Sequence, residues 1–270
     1  LMSVKRDLGL FVVLAVIAGA SLYGFAAKAK DWGKYQSGEL RSGYTYASKE
    51  TRAMQDDDFA NPSSIWMDQG EELWLKAQGK AGKSCASCHD DAAQSMKGVA
   101  TRYPVFDKSL GKLKNVEQQI NICRKQRMEA KPFKWESNKM LAMTVYVKGQ
   151  SRDMPVNVKI NGPAAPFFEK GKAQYFQRRG QLNLACKHCH EDNAGNLARA
   201  NLLSQGHSNG FPLYRLAWQR LGSLHRRFRG CDKNIRARPY GYGSDEYVNL
   251  ELYLAARGRG LPVETPAVRN

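Results

Sequence analysis

Cys186, Cys189 and His190 stand in the order C-x-x-C-H, and Cys85, Cys88 and His89 repeat that order 101 residues upstream. One helical turn places both thiols and the following imidazole together. Two thiols so placed can reach the two vinyl groups on one edge of a porphyrin while the imidazole binds the iron. That is the attachment chemistry of a c-type haem. A single copy also resembles a redox or zinc motif, but two copies in one chain point to haem.

The far side of the second iron is the unusual part. All eight methionines lie at or before Met154, so the second half cannot supply the common His/Met pair. Its own candidates are His207, His225 and Cys231. A thiolate ligand suits Cys231, because Arg226, Arg227 and Arg229 precede it and nearby cations lower a thiol's pKa. The competing reading is a disulfide between Cys231 and Cys123, the two cysteines outside the cassettes, with the arginines on a solvated face. Spacing alone leaves both open. His207 and His225 read as hydrogen-bonded histidines, and His188 sits too close to the cassette to serve the same iron. Lys233, Arg236 and Arg238 continue the basic run, relieved by Asp232. Around a reactive thiol such a run is an anion site.

These residues need helices to hold them. A polar stretch over 61–64 opens a helix running to about Gln78, with a serine cap and Trp66, Leu73 and Trp74 facing inward. Glu117 to Met128 is helical, with Val116, Ile120 and Cys123 on one face, which makes Cys123 a small core residue if nothing else. Lys139 to Lys148 forms a further apolar helix, and Leu213 to about Gly222 reads as another. The organisation then repeats. Gly70 and Trp74 lie 18 and 14 residues before Cys88, and Gly171 and Tyr175 lie 18 and 14 before Cys189. A closing helix recurs too, at Leu141–Val147 and Tyr247–Ala256. The fold class is therefore mainly α, two tandem cytochrome c-like domains, each built round a covalently attached haem. The boundaries are an N-terminal arm over 30–60, a first domain over 61–150, a proline-rich linker over 151–166 and a second, catalytic domain over 167–270.

The 270 residues, 42% hydrophobic and 25% charged, suit two globular domains. The formal net charge of +17 would favour nucleic acid in a cytoplasmic protein. Haem attachment outside the cytoplasm argues against that, and a basic surface instead steers anions or an acidic partner. Residues 1–29 carry Lys5 and Arg6, an apolar run from Leu8 and an Ala27-Lys28-Ala29 cleavage pattern. They read as a signal peptide for the periplasm, with a retained membrane anchor as the alternative.

The ordered motifs resemble one family closely: SoxA, the dihaem c-type subunit of the Sox sulfur-oxidation cytochrome complex. The likeness rests on 82–89, 119–124, 180–186, 206–212, Trp218, 222–231, 246–254 and 266–269, and runs from about Asn61 to Asn270. The resemblance implies an L-cysteine S-thiosulfotransferase that joins thiosulfate to a cysteine on a carrier protein (SoxYZ type) and forms a heterodimer with a small monohaem cytochrome (SoxX type). It implies two covalently bound c-type haems, on Cys85 and Cys88 and on Cys186 and Cys189. Their irons would be held by His89 with Cys123 and by His190 with Cys231. Cys231 and Arg227 would be the catalytic residues, which weighs against the Cys123–Cys231 disulfide. A thiosulfate dehydrogenase forming tetrathionate and a plain electron-transfer cytochrome are the alternatives.

Overall fold

Two pairs of crossed helices frame the molecule, and a glycine sits at each crossing. The computed structural model describes residues 31–270, so the expected export segment lies outside the described residues. Chain order begins with the hairpin β1 (Gln36–Ser37) and β2 (Leu40–Arg41), then α1 (Lys49–Asp56) and α2 (Ser64–Leu75). The first cassette lies on α3 (Ala86–His89) and is followed by short turns α4 (Ala92–Ser95) and α5 (Val99–Arg102). The hairpin β3 (Val105–Asp107) and β4 (Lys112–Lys114) leads to α6 (Val116–Arg127) and α7 (Asn138–Gly149). The second half starts with α8 (Ala165–Phe176) and α9 (Cys186–His190), then the hairpin β5 (Leu197–Ala198) and β6 (Asn201–Leu202). Strands β7 (Leu213–Arg215) and β8 (Arg220–Gly222), helices α10 (Leu224–Asn234) and α11 (Asp245–Arg257), and strand β9 (Ala267–Arg269) complete it.

Helix α2 crosses α7, and α8 crosses α11. A Cβ at Gly70 would meet the Ala142 carbonyl oxygen at 2.4 Å, and one at Gly171 would meet that of Asn249 at 2.1 Å. Only a residue without a side chain lets these backbones approach so closely. One turn on, Trp74 and Tyr175 are buried and pack toward the cassettes. The repeated glycine-aromatic spacing thus places the same contact in both halves.

Helix α6 begins with a capping box: Asn115 accepts from Gln118 N, and the Gln118 side chain accepts from Asn115 N. Helices α7, α10 and α11 are capped by Ser137, Ser223 and Ser244. The serine at the start of α2 makes no such bond; Asn61 instead accepts from Ser63 N at 2.9 Å.

Three expectations change. The arm is folded: α1 packs on β9, and Gln55 on α1 accepts from Val268 N at 3.0 Å. The proline-rich stretch is not a free tether, since Val156, Val158 and Ala164 are buried with Leu113, Val248 and Leu252 in one core. Residues Trp32–Asn270 accordingly make one compact unit. Finally, Leu213–Gly222 is not a helix. Strand β7 lies between β8, antiparallel, and β9, parallel. Its apolar residues at 213, 216, 217 and 221 imitate helical spacing, but Gln219 turns the chain at φ 49°. Among the described residues no helix is long and apolar enough to cross a membrane.

Candidate functional site

The second cassette sits in an aromatic pocket. Helix α9 presents Cys186, Cys189 and His190, with Cys186 against a core that includes Tyr175, Leu224, Phe228 and Tyr253. His190 Nδ1 lies 2.7 Å from the Ser204 carbonyl oxygen. That bond puts the ring proton on Nδ1 and leaves Nε2 as the ligating nitrogen. Gly206, with φ +75°, makes room for the ring: a Cβ there would stand 2.7 Å from His190 Cγ.

Helix α10 brings Cys231 to the same place, beside His190. Burial pushes this thiol up, but the charge of Arg227 and the His190 contact outweigh it and bring Cys231 down to about 7. The cassette thiols go the other way. Burial, with Cys231 beside them, pushes Cys186 up to about 12 and also raises Cys189. Of the three sulfurs in the pocket, Cys231 is the one held toward thiolate.

The arginines divide. Arg227, one turn before Cys231, acts on both Cys231 and Cys189. Arg226 instead lies 4.7 Å over the Trp218 ring and 3.8 Å from Glu136 Oε2. Arg229 donates to the Tyr240 carbonyl and stacks 4.7 Å over Tyr242. Helical periodicity explains this, since positions four apart share a face and neighbours do not. Asp232 turns away from the thiol to accept from Arg179 at 2.7 Å and from Tyr247 at 2.7 Å, which fixes α10 against its surroundings. Burial, with the charge of Arg227 next, lowers the pKa of Arg215 on β7.

In the first pocket Cys123 on α6 lies beside Cys85, and Gln119 Nε2 donates to its Sγ at 3.1 Å. Burial, with Cys123 next, pushes Cys85 up to about 11. Trp74 donates to the Asp90 carbonyl at 3.0 Å, fixing the turn after His89, and its ring lies 5.9 Å from the His89 ring. Met140, Met143, Val99 and Val116 line the same core. Cys123 and Cys231 therefore belong to different pockets, and all six cysteines are free. Imidazole and thiolate, with apolar walls, fit a covalently attached iron porphyrin in each pocket. The donors that would ligate it are His89 and Cys123, and His190 and Cys231.

His207 and His225 are buried and outside the ligand sets. His207 Nε2 lies 3.1 Å from Gln205 Oε1; burial and the neighbouring Arg257 and His190 hold the ring down at about 3. His225 Nδ1 accepts from Gly243 N at 3.0 Å, and its ring stacks on Trp135 at 5.0 Å. Its Nε2 is 3.4 Å from Glu251 Oε2, which also accepts from Asn115 Nδ2 at 3.0 Å.

Glu117 of α6 joins this interior group without a hydrogen-bond partner for Oε2. Burial, then the Glu251 carboxylate, pushes Glu117 up to about 7. Glu251 moves down: burial opposes its ionisation, but His225, Lys148 and Asn115 outweigh that. A carboxyl raised on folding favours the folded state fully below its unfolded pKa. That advantage is lost as pH rises from about 4.5 through about 7. Glu117→Gln should match the parent at about pH 4 and be more stable at pH 8.5 by about 1–3 kcal/mol. Thermal melts across that range check it; a difference independent of pH would mean that Glu117 ionises normally.

Residues 69–156 match the family model described as the SoxA/TsdA cytochrome c domain. Among curated relatives, the L-cysteine S-thiosulfotransferase subunit SoxA of Pseudaminobacter salicylatoxidans is 47% identical over 85% of this chain and 80% of its own. The subunit of the same name from Paracoccus pantotrophus is 45% identical over 86% and 79%. Among solved structures, the crystal structure of SoxXA from P. pantotrophus superposes with a TM-score of 0.83 at 44% identity, covering 86% of this chain and 87% of that one.

Proposed function

Because the chain belongs to the SoxA family of c-type cytochromes, we propose that it is the L-cysteine S-thiosulfotransferase subunit that joins thiosulfate to a cysteine of a carrier protein. The observation that carries this reading is Cys231, half-buried beside His190 and one helical turn after Arg227, whose charge draws it toward thiolate. An electron carrier without a substrate gains nothing from a low-pKa thiol beside an arginine. The reaction balances as R–SH + S₂O₃²⁻ → R–S–S–SO₃⁻ + H⁺ + 2e⁻. One sulfur–sulfur bond forms, the carrier thiol loses its proton, and two electrons leave.

The chain carries two haems, on Cys85 with Cys88 and on Cys186 with Cys189, one in each half of the compact unit. When bound, the second haem supplies an acceptor for electrons, one at a time. Cys231 presents the reacting sulfur, and Arg227 holds the thiosulfate dianion beside it. His190, fixed through Ser204, keeps the opposite side in register. A SoxX-type monohaem subunit receives the electrons, a SoxYZ-type protein receives the sulfur, and the work is done in the periplasm.

Product analysis tests the reading. Purified holoprotein with its cytochrome partner, thiosulfate and reduced carrier should add the mass of one S-thiosulfonate to the carrier cysteine. Pyridine haemochrome should count two haems per chain. Tetrathionate formed without carrier, and no carrier adduct, would assign the dehydrogenase chemistry instead.

A further inference from the structure

Gln205 ties the N-terminal arm to the peptide that orients His190. The Ser204 carbonyl oxygen, 2.7 Å from His190 Nδ1, is the acceptor that sets the tautomer of the ring. Upstream of Ser204 the chain is the short hairpin β5–β6, whose Leu197 and Leu202 are exposed. The hold on that carbonyl comes from the other side. Gln205 Nε2 donates to the Glu39 carbonyl at 2.9 Å, and its Oε1 accepts from Arg41 N at 2.7 Å. One side-chain amide thus pairs with two backbone groups of the arm, as a neighbouring strand would.

Further contacts fix the same peptide. Oε1 of Gln205 also lies 3.1 Å from His207 Nε2. The Gln205 carbonyl accepts from Arg257 Nη1 at 3.0 Å, and Arg257 Nη2 lies 3.1 Å from Glu191, the residue after His190. Gly206 N donates to Ser204 Oγ at 3.3 Å, which closes the turn against the imidazole. The acceptor of the His190 proton is therefore held from the arm and from α11, and the side chain that reaches the arm is Gln205.

A hydrogen bond from the far ring nitrogen to a fixed carbonyl raises the basicity of the nitrogen that ligates. A more basic ligand favours the oxidised iron, so this bond lowers a haem's reduction potential. A neutral amide can hold the carbonyl in place without adding charge to the pocket.

We propose that Gln205 is a positioning residue for the second haem: by pinning the Ser204–Gln205 peptide to the N-terminal arm, it keeps the His190 hydrogen bond short and the potential of that haem low. The assignment rests on the reading above that the second cassette carries haem with His190 as ligand. It makes the arm part of the redox site, although no arm residue belongs to the ligand set.

Redox titration monitored by electron paramagnetic resonance, on holoprotein in complex with its cytochrome partner, gives each ferric haem its own g-values and midpoint potential. Gln205→Met keeps the length without the amide; Gln205→Asn keeps the amide but is one methylene too short to reach the arm. Either variant carries the test if the other fails to fold. In both, the potential of the second haem should rise by about 30–60 mV, roughly three- to tenfold in its one-electron equilibrium, with altered g-values. The first haem should not move. A lower melting temperature with both potentials unchanged would overturn the proposal and leave Gln205 as a tether for the arm. Equal shifts at both haems would overturn it as well, since they would report general loosening. The mass of the peptide bearing Cys186 and Cys189 separates this from the premise. A peptide without haem sinks the two-haem reading and the proposal together; a haem-bearing peptide with an unshifted potential sinks the proposal alone.

Discussion

Cys231→Ala should lose thiosulfate conjugation by at least about 10⁴-fold, the scale on which removal of a reacting group acts. Both haems should stay covalently attached, because attachment belongs to the cassette thiols. The lost sulfur also leaves His190 without its partner across the pocket, so the absorption spectrum of the second haem should change while that of the first does not. Cys123→Ala separates the two pockets. It should alter the first haem's spectrum and leave conjugation largely intact, since Cys123 lies beside Cys85 in the first pocket. Conjugation surviving in Cys231→Ala would move the chemistry off this sulfur altogether.

Arg227→Ala should lower conjugation by about 10²–10³, which corresponds to about 2.7–4 kcal/mol for one charged donor at a reacting centre. Both haems should remain bound and spectrally normal. Arg227→Lys should recover only part of the rate, because a point charge lacks the two-pronged geometry. Arg226→Ala and Arg229→Ala should leave substrate kinetics nearly unchanged, since those side chains are committed to Trp218 with Glu136 and to Tyr240 with Tyr242. What they should lose is stability, through packing. Steady-state rates beside melting curves check both halves. A near-normal rate in Arg227→Ala would mean that the substrate is gripped elsewhere.

The cassettes and the repeated glycine-aromatic spacing before them were legible because each depends on residues close together in the chain, whereas Arg227 was singled out by the family resemblance. The three arginines before Cys231 invited one collective role, although a helix rotates about 100° per residue and so cannot aim them all one way. Strand β7 was hidden for a different reason: it is held between β8 and β9, the latter more than fifty residues later, and the local pattern of apolar residues favoured a helix. The same dependence on distant partners concealed the folded arm: Glu264 accepts from Gln55 at 3.2 Å and from Ser42, tying the arm to the segment before β9.

The glycine crossings bear on origin. A contact set by the Gly70–Ala142 approach recurs as Gly171–Asn249, at the same distance from each cassette. Such recurrence is what gene duplication leaves when the helix frame is retained under packing constraint. The pockets diverged inside that frame: in one copy the candidate thiolate lies on α6, backed by a glutamine amide, and in the other on α10, backed by a guanidinium. In each copy the residue four places before the sulfur stands behind it, a neutral amide in one and a cation in the other.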